Sequence, residues 1–312
     1  MQTLLLIDGN ALIHRAYHAM PNFHTKDGVP TNALYGFLSM LFKSVTDFKP
    51  NYIIVCFDTP KPTFRNTLSP TYQAHRPKAD DDFIKQIPLI RQMLEIAGIT
   101  FLEKDGYEAD DVIGTLSEKF KNVPDLRILI LTGDRDIMQL VDKNVFVITP
   151  KTGLSDIAVY NEEGVEKKMG VRPNLIPDLK ALMGDASDNY VGAKGIGPKT
   201  AAKLLAQYRD VNGVLTHADD IKENRIKELI ISHKENIALS HELATIRKDV
   251  PIECNLEQTQ FTWFNERLKE FLSSFQIKSL QERIFSTKNQ PEQHSTIPEK
   301  KKATDDQIDL FS

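Results

Sequence analysis

The residues able to do chemistry in this chain are carboxylates set just past short apolar runs. Leu4–Ile7 ends in Asp8-Gly9-Asn10, Tyr52–Phe57 ends in Asp58-Thr59, and Ile128–Leu131 ends in Thr132-Gly133-Asp134-Arg135-Asp136. Glu108-Ala109-Asp110-Asp111 opens a stretch of helical period, and Gly184-Asp185-Ala186-Ser187-Asp188-Asn189 follows another. Taken singly, each has an ordinary reading: Asp-Gly is a turn, and acids before an apolar helix cap it and meet its dipole. Taken together they conflict. Two carboxylates ~4 Å apart repel by about 1 kcal/mol in water and ~4 kcal/mol at an effective dielectric of about 20. Convergence on one edge therefore demands a compensating charge. Hard, oxygen-liganded divalent ions supply it, with Mg²⁺ or Mn²⁺ the natural candidates. The eight histidines are scattered, and the two cysteines, Cys56 and Cys254, have no zinc-ligand spacing. A carboxylate-only site holding two ions ~3.5–4 Å apart suits phosphodiester hydrolysis. One ion lowers the pKa of a water and the other stabilises the leaving 3′ oxygen.

Two further segments suit nucleic acid. Gly192 to Ala201 contains Gly195-Ile196-Gly197-Pro198-Lys199-Thr200 between two helical stretches. It is not a P-loop, because Pro198 stands where that motif needs Lys, and its glycine order is wrong for a dinucleotide fold. A tight Gly-Ile-Gly turn with Pro198 at the first helical position fits. The N–H groups of that helix start can hold a DNA phosphate, with Lys194 and Lys199 flanking. The other segment, residues 61–78, carries Lys61, Arg65, Arg76 and Lys78 and no acid. It follows the run ending at Asp58, so it overhangs the acidic edge. Phe64 and Tyr72 offer π-faces for bases, which makes the segment a clamp for single-stranded nucleic acid.

These side chains need elements that bring them together. The four runs Leu4–Ile7, Tyr52–Phe57, Ile128–Leu131 and Val145–Ile148 are together rich in β-branched residues and too short for helices, which suits strands buried on both faces of a parallel sheet. Helix-period stretches 32–48, 83–97 and 109–120 alternate with them. The expected fold is therefore α/β, a mainly parallel twisted sheet flanked by helices. Ligands of such a sheet bind outside the carboxyl ends of its strands, where the acids lie. From about Pro173 the β signal fades, and 175–183, 200–208, 225–231 and 236–246 read as helices of a separate subdomain. Residues 261–284 read as a last helix and a short closing segment. We expect a catalytic domain over 1–172, with the clamp at about 61–83, a helical DNA-binding domain over 173–285, and a polar tail over 286–312.

Composition bounds the class. The chain has 312 residues, 41% apolar and 26% charged, which excludes global disorder and permits a full core. The net charge of −4 excludes a nucleic-acid partner read from bulk charge and leaves only local charge to carry it. Few cysteines, no spanning apolar segment and no basic leader point to a cytoplasmic protein with no membrane contact.

From Met1 to about Ile284 the chain resembles the 5′ nuclease domain of bacterial DNA polymerase I and its stand-alone relatives, in the flap endonuclease superfamily, a PIN-like fold. The motifs that carry the resemblance are Leu6–Asn10, Phe57–Thr59, Thr63–Arg65, Glu108–Leu116, Thr132–Asp136, Leu182–Asn189 and Gly195–Ala201. The resemblance implies a metal-dependent enzyme that removes 5′ ends and cleaves 5′ flaps, leaving a 5′-phosphate and a 3′-hydroxyl, in primer removal and repair. It implies two metal ions held among Asp8, Asp58, Glu108, Asp110, Asp111, Asp134, Asp136, Asp185 and Asp188. Asp8, Asp58, Asp110 and Asp134, with Arg76 and Tyr72 on the arch that the 5′ strand threads, are the catalytic set. DNA contacts fall to Arg65, Lys78, Lys194, Gly195, Gly197, Lys199 and Thr200. The turn becomes a helix-three-turn-helix, where K⁺ helps hold the duplex phosphate. One residue departs from the family pattern: Gln73 stands where a Lys usually follows the arch Tyr. Gln73 can hydrogen-bond but not neutralise, which leaves charge compensation to Lys78 or Lys61, or slows turnover.

The polar, Pro-bearing stretch 286–306 reads as a flexible, disordered tether. It ends in Gln307-Ile308-Asp309-Leu310-Phe311-Ser312, where the polymerase would continue, and Gln307 to Phe311 resembles the bacterial sliding-clamp-binding pentapeptide. Tethering would raise the nuclease concentration at replicated DNA. The expected partners are branched, nicked or 5′-ended DNA and that clamp, engaged by a monomer. Two other readings compete: a clamp-tethered module that reads DNA structure with weak nuclease activity, and a PIN-like RNA nuclease, which the helical subdomain disfavours.

Overall fold

The structure is a computed structural model and describes residues 1–150 and 157–286. In chain order its first half contains β1 (Gln2–Asp8), α1 (Gly9–Ala19), α2 (Asn32–Phe48), β2 (Tyr52–Phe57), α3 (Phe64–Leu68), α4 (Asp81–Ala97), β3 (Thr100–Glu103), α5 (Ala109–Phe120), β4 (Leu126–Leu131), β5 (Val145–Pro150) and β6 (Ile157–Tyr160). The second half is helical: α6 (Glu162–Met169), α7 (Ile176–Met183), α8 (Pro198–Tyr208), α9 (Val211–Thr216), α10 (Asn224–Ser232), α11 (Lys234–Ala244), α12 (Glu266–Ser274) and α13 (Lys278–Phe285).

The sheet order is β3-β2-β1-β4-β5-β6, parallel except for β6. The chain moves outward from β1 through β2 to β3, then returns to the other side of β1 at β4. Strand order thus reverses between β1 and β4, and a crevice opens at their carboxyl ends. Asp8 ends β1, and Asp134 follows β4 by three residues, so the acids sit at the place where the topology leaves a gap.

Alternation along β1 splits the core into two layers. Leu4 and Leu6 face a cluster with Val112, Ile113 and Leu116 of α5 that continues into Leu179, Leu182 and Leu205 of the helical half. Leu5 and Ile7 face α1, α2 and α4 through Leu12, Phe37, Leu41 and Leu94. Burial on both faces is why these strands read as unbroken apolar runs. The chain then returns to the sheet: Phe261 N–H bonds Asn51 O, and Leu268, Leu272, Leu280 and Ile284 complete the second layer.

Four elements, α1, β3, β6 and α13, differ from the sequence reading. Asp8-Gly9 is not a turn but the cap of α1, with the Asp8 carboxylate accepting from Ala11 N–H at 3.0 Å. Strands β3 and β6 lack a continuous apolar run because they lie at the two sheet edges and are only partly buried. The expected closing segment is a second helix, α13, set off from α12 by Gln276 at φ 62°. Gln307–Phe311 lies outside the described residues.

Candidate active site

Five backbone segments deliver acids to one cleft. Asp8, Asp58, Glu108, Asp110 and Asp134 line a cavity of about 330 Å³ with Asn10, His14, Lys61, Gln73 and Arg76. A narrower cleft continues it from Asp110 and Asp134 to Asp136 and Asp188. There Asp136, Asp185 and Asp188 present ligand oxygens within 4.8 Å of one another. The acids therefore form a proximal group at the ends of β1 and β2 and a distal group where the segment after β4 meets the end of α7, with Asp110 and Asp134 between them.

Asp8 and Asp58 are aimed by neutral donors. Thr132 Oγ1 donates to Asp8 Oδ2 at 2.7 Å and accepts from Asp134 N–H at 2.9 Å. Ala109 N–H donates to Asp58 Oδ1 at 2.7 Å, while Asn10 Oδ1 accepts from Asp58 N–H at 3.0 Å. These bonds reach both oxygens of Asp8, whose Oδ1 also accepts from Ala11 N–H at 3.0 Å, but only one oxygen of Asp58. Burial and mutual repulsion act on what remains. Burial, with the charges of Asp58 and Asp134, pushes Asp8 up to about 7. Burial pushes Glu108 up to about 7 against the pull of Arg65, and Asp110 rises well above the usual carboxylate range for the same first cause. Such groups gain most from a divalent cation.

Two of the distal acids, Asp185 and Asp188, sit on a locked loop, while Asp136 comes from the segment after β4. A side chain at Gly184 would meet Gly192 N at 2.8 Å, and one at Gly192 would meet Ala181 O at 2.3 Å. Between these glycines Asp185 and Tyr190 exchange backbone bonds at 2.9 and 3.1 Å. Asp185 Oδ1 accepts from Ser187 N–H at 2.7 Å. Asp188 Oδ1 accepts from Gln73 Nε2 at 2.9 Å and from the Arg76 guanidinium at 2.8 Å. The phenol of Tyr190 is buried beside Asp136, Asp185 and Asp188, and among the described residues it has no hydrogen-bond partner. A buried donor without an acceptor, close to three convergent carboxylates, fits a hydrated cation better than a dry acid cluster.

Two expected residues are buried and spent on protein contacts. The Arg65 guanidinium is buried and bonds Asp111 at 2.7 and 2.9 Å, Glu108 at 3.2 Å, Leu243 O at 2.8 Å and Thr245 O at 3.1 Å. Its Nε, Nη1 and Nη2 donors are all engaged by protein acceptors. Asp111 is 0% exposed, and its oxygens also accept from Arg247 N–H and Glu108 N–H. Its oxygens are used in capping α5 and holding Arg65. Tyr72 likewise is not an open stacking platform. It is 4% exposed, its ring lies 6.5 Å from that of Tyr190, and its hydroxyl donates to Glu108 at 3.3 Å.

The other expected contacts are exposed or half-buried. Arg76 covers Asp188 with its own side chain 55% exposed. Lys78, Lys194 and Lys199 are exposed, and Thr200 is half-buried. Gly195 takes φ +107°, which a side chain would strain, and Gly197 caps α8 with Pro198 at its first position. Lys61 pairs with Asp105 at 2.6 Å.

Lys180, Thr132 and Tyr190 escaped the sequence reading. Lys180 left a trace, being the one cation in the helical stretch Ile176–Met183, between Leu179 and Ala181. Its ammonium bridges Asp136 and Asp185. Thr132 left none beyond lying inside an acidic motif, and Tyr190 none beyond directly following one. No helix among the described residues is long and apolar enough to cross a membrane.

Residues 3–170 match the 5′-3′ exonuclease N-terminal resolvase-like domain, and residues 171–267 match the 5′-3′ exonuclease C-terminal SAM fold. A 5′-3′ exonuclease of Aquifex aeolicus is 39% identical over 296 residues, 95% of this chain and 99% of that protein. DNA polymerase I of Caldicellulosiruptor bescii is 41% identical over 284 residues, 90% of this chain; the match spans only 33% of the polymerase. Among solved structures, a bacteriophage T5 D15 flap endonuclease variant, in a pseudo-enzyme-product complex with DNA and metal ions, superposes with a TM-score of 0.67 at 15% identity, over 91% of this chain and 98% of that one.

Proposed function

As the chain belongs to the 5′-3′ exonuclease family and is thus a nuclease, we propose that it is a two-metal 5′-3′ exonuclease and 5′-flap endonuclease acting on branched, nicked or 5′-ended DNA, RNA primers included, in replication and repair. The observation that carries this reading is the meeting of acids from β1, β2, the start of α5, the loop after β4 and the loop after α7 in one cleft. Bound Mg²⁺ or Mn²⁺ ions supply an activated water and stabilise the leaving 3′ oxygen.

Asp8, Asp58, Asp110 and Asp134, with Glu108, hold the proximal ion, and Asp136, Asp185 and Asp188 hold the distal one. Thr132 and the N–H groups of Ala11 and Ala109 keep the proximal carboxylates turned to the cleft. Arg65 and Asp111 fix the start of α5, and with it Glu108 and Asp110. Arg76 and Gln73 close over Asp188 and meet the incoming 5′ strand near the scissile phosphate, with Tyr72 behind them and Lys78 at the outer edge. The Gly195–Gly197 turn, with Lys194, Lys199 and Thr200, grips the phosphates of the duplex, with K⁺ as a further ligand. The tail residues Gln307–Phe311 engage the bacterial sliding clamp. The protein works as a monomer in the cytoplasm.

A 5′-flap duplex labelled at both ends tests the reading. Mg²⁺-dependent release of flap products with a 5′-phosphate is expected, with EDTA abolishing it. Intact substrate at saturating Mg²⁺ and Mn²⁺ would overturn it.

A further inference from the structure

The two acid groups differ in how their charge is met. Of the proximal acids, Asp8 and Asp58 are reached by neutral donors, namely Ala11 and Ala109 N–H and the Thr132 hydroxyl, and Glu108 meets the Arg65 guanidinium at 3.2 Å, a cation itself paired with Asp111. The distal group is reached by a full charge. The Lys180 ammonium touches Asp136 and Asp185, two of the three acids whose oxygens converge there. Its side chain is 11% exposed and rises from α7, whose Ile176, Leu179, Ala181 and Leu182 pack into the core. Asp185 cannot swing away, because Gly184 and Gly192 are packed backbone to backbone. An ammonium and a divalent ion cannot use the same carboxylate oxygens at once, since two positive charges in one small site repel.

We propose that Lys180 is the resident cation of the distal group: it stands where the second divalent ion binds and has to withdraw to admit it. This rests on the two-ion reading above. Lys180 is a positioning residue, not a catalytic one. It keeps Asp136 and Asp185 together while the metal is absent, and it makes the distal ion the weaker of the two. Its four-carbon stem permits withdrawal without moving α7.

Mn²⁺ titration of the full chain, followed by calorimetry and by the electron paramagnetic resonance of free Mn²⁺, tests this. Wild type should show one tight and one weak class of site. Lys180→Met should tighten the weak class by ~10-fold or more, ~1.4 kcal/mol, and leave the tight class alone. Lys180→Arg, which keeps the charge, should retain the weak class. In wild-type protein, reductive methylation of Lys180 read by mass spectrometry should accelerate when Mg²⁺ is added, as the amine leaves its carboxylates. Two classes unchanged by Lys180→Met, or Lys180 labelling unaffected by Mg²⁺, would overturn this proposal alone. Wild type that binds no Mn²⁺ would overturn the two-ion reading and this proposal with it.

Discussion

Arg65 and Asp111 form a two-pronged pair, at 2.7 and 2.9 Å, with side chains 3% and 0% exposed. It ties α3, the start of α5 and the backbone of Leu243 and Thr245 together. Removing one partner strands a buried charge, at a cost of about 3–5 kcal/mol. Asp111→Ala and Arg65→Met should therefore lower stability by that amount in urea unfolding, equally with and without Mg²⁺. A loss seen only in Mg²⁺ would mean that Asp111 does hold an ion.

Asp110 is the opposite case. Burial and the charges of Asp134 and Asp8 oppose its ionisation, so Asp110→Asn relieves repulsion. Without metal the variant should melt a few degrees higher, since ~1 kcal/mol moves the midpoint by roughly 2–4 °C at this size. Cleavage should be lost while flap-DNA affinity stays within a few-fold. A variant that melts lower without metal would contradict the repulsion argument.

Thr132 links two acids through one hydroxyl, giving to Asp8 and accepting from Asp134 N–H. Thr132→Val keeps the shape and removes both bonds. Outer partners of metal ligands are worth ~10–100-fold in affinity, so calorimetric Mn²⁺ affinity at the proximal site should fall within that range. Unchanged affinity would remove Thr132 from the site's machinery.

The pH dependence of stability follows from Asp8, Glu108 and Asp136. Their ordinary values are 3.8, 4.5 and 3.8, and burial pushes each up to about 7 in the folded state. Over that interval the metal-free folded protein holds protons that the unfolded chain has released. The stabilisation this gives is complete below the unfolded values and is lost as the pH rises through about 7. The melting temperature in EDTA should fall between about pH 5 and about pH 8, and Mg²⁺ should flatten the curve by displacing those protons. A profile that rises with pH in EDTA would refute the shifts.

Gln73 sits at φ 54° with its amide on Asp188 and beside Arg76. A positive charge there would add to Arg76 at the point where a phosphate enters. Gln73→Lys should raise single-turnover cleavage at saturating Mg²⁺ by a few-fold, ~1 kcal/mol of barrier. An unchanged or lower rate would show that Arg76 alone meets that charge.

Much of the site was legible because it is written in local patterns. An acid directly after an apolar run lies at a strand end, and parallel strands share one carboxyl edge; hence Asp8, Asp58, Asp134 and Asp136 could be grouped without coordinates. Strands β3 and β6 were not legible, since edge strands need no continuous apolar run. The Asp8 cap of α1 was hidden for a similar reason, because Asp-Gly serves a turn and a helix start equally well.

The sequence by itself determined which residue types reach the sheet edge and what cation chemistry they suit. It could not rank them, because composition does not reveal direction. The aim of Asp111 inward onto Arg65, of Tyr72 onto Tyr190, and of Lys180 between Asp136 and Asp185 is set by contacts between residues up to 180 positions apart. Those contacts exist only once α5, α7 and α11 have packed around the cleft, and burial then decides which carboxylates are spent on protein and which remain for an ion.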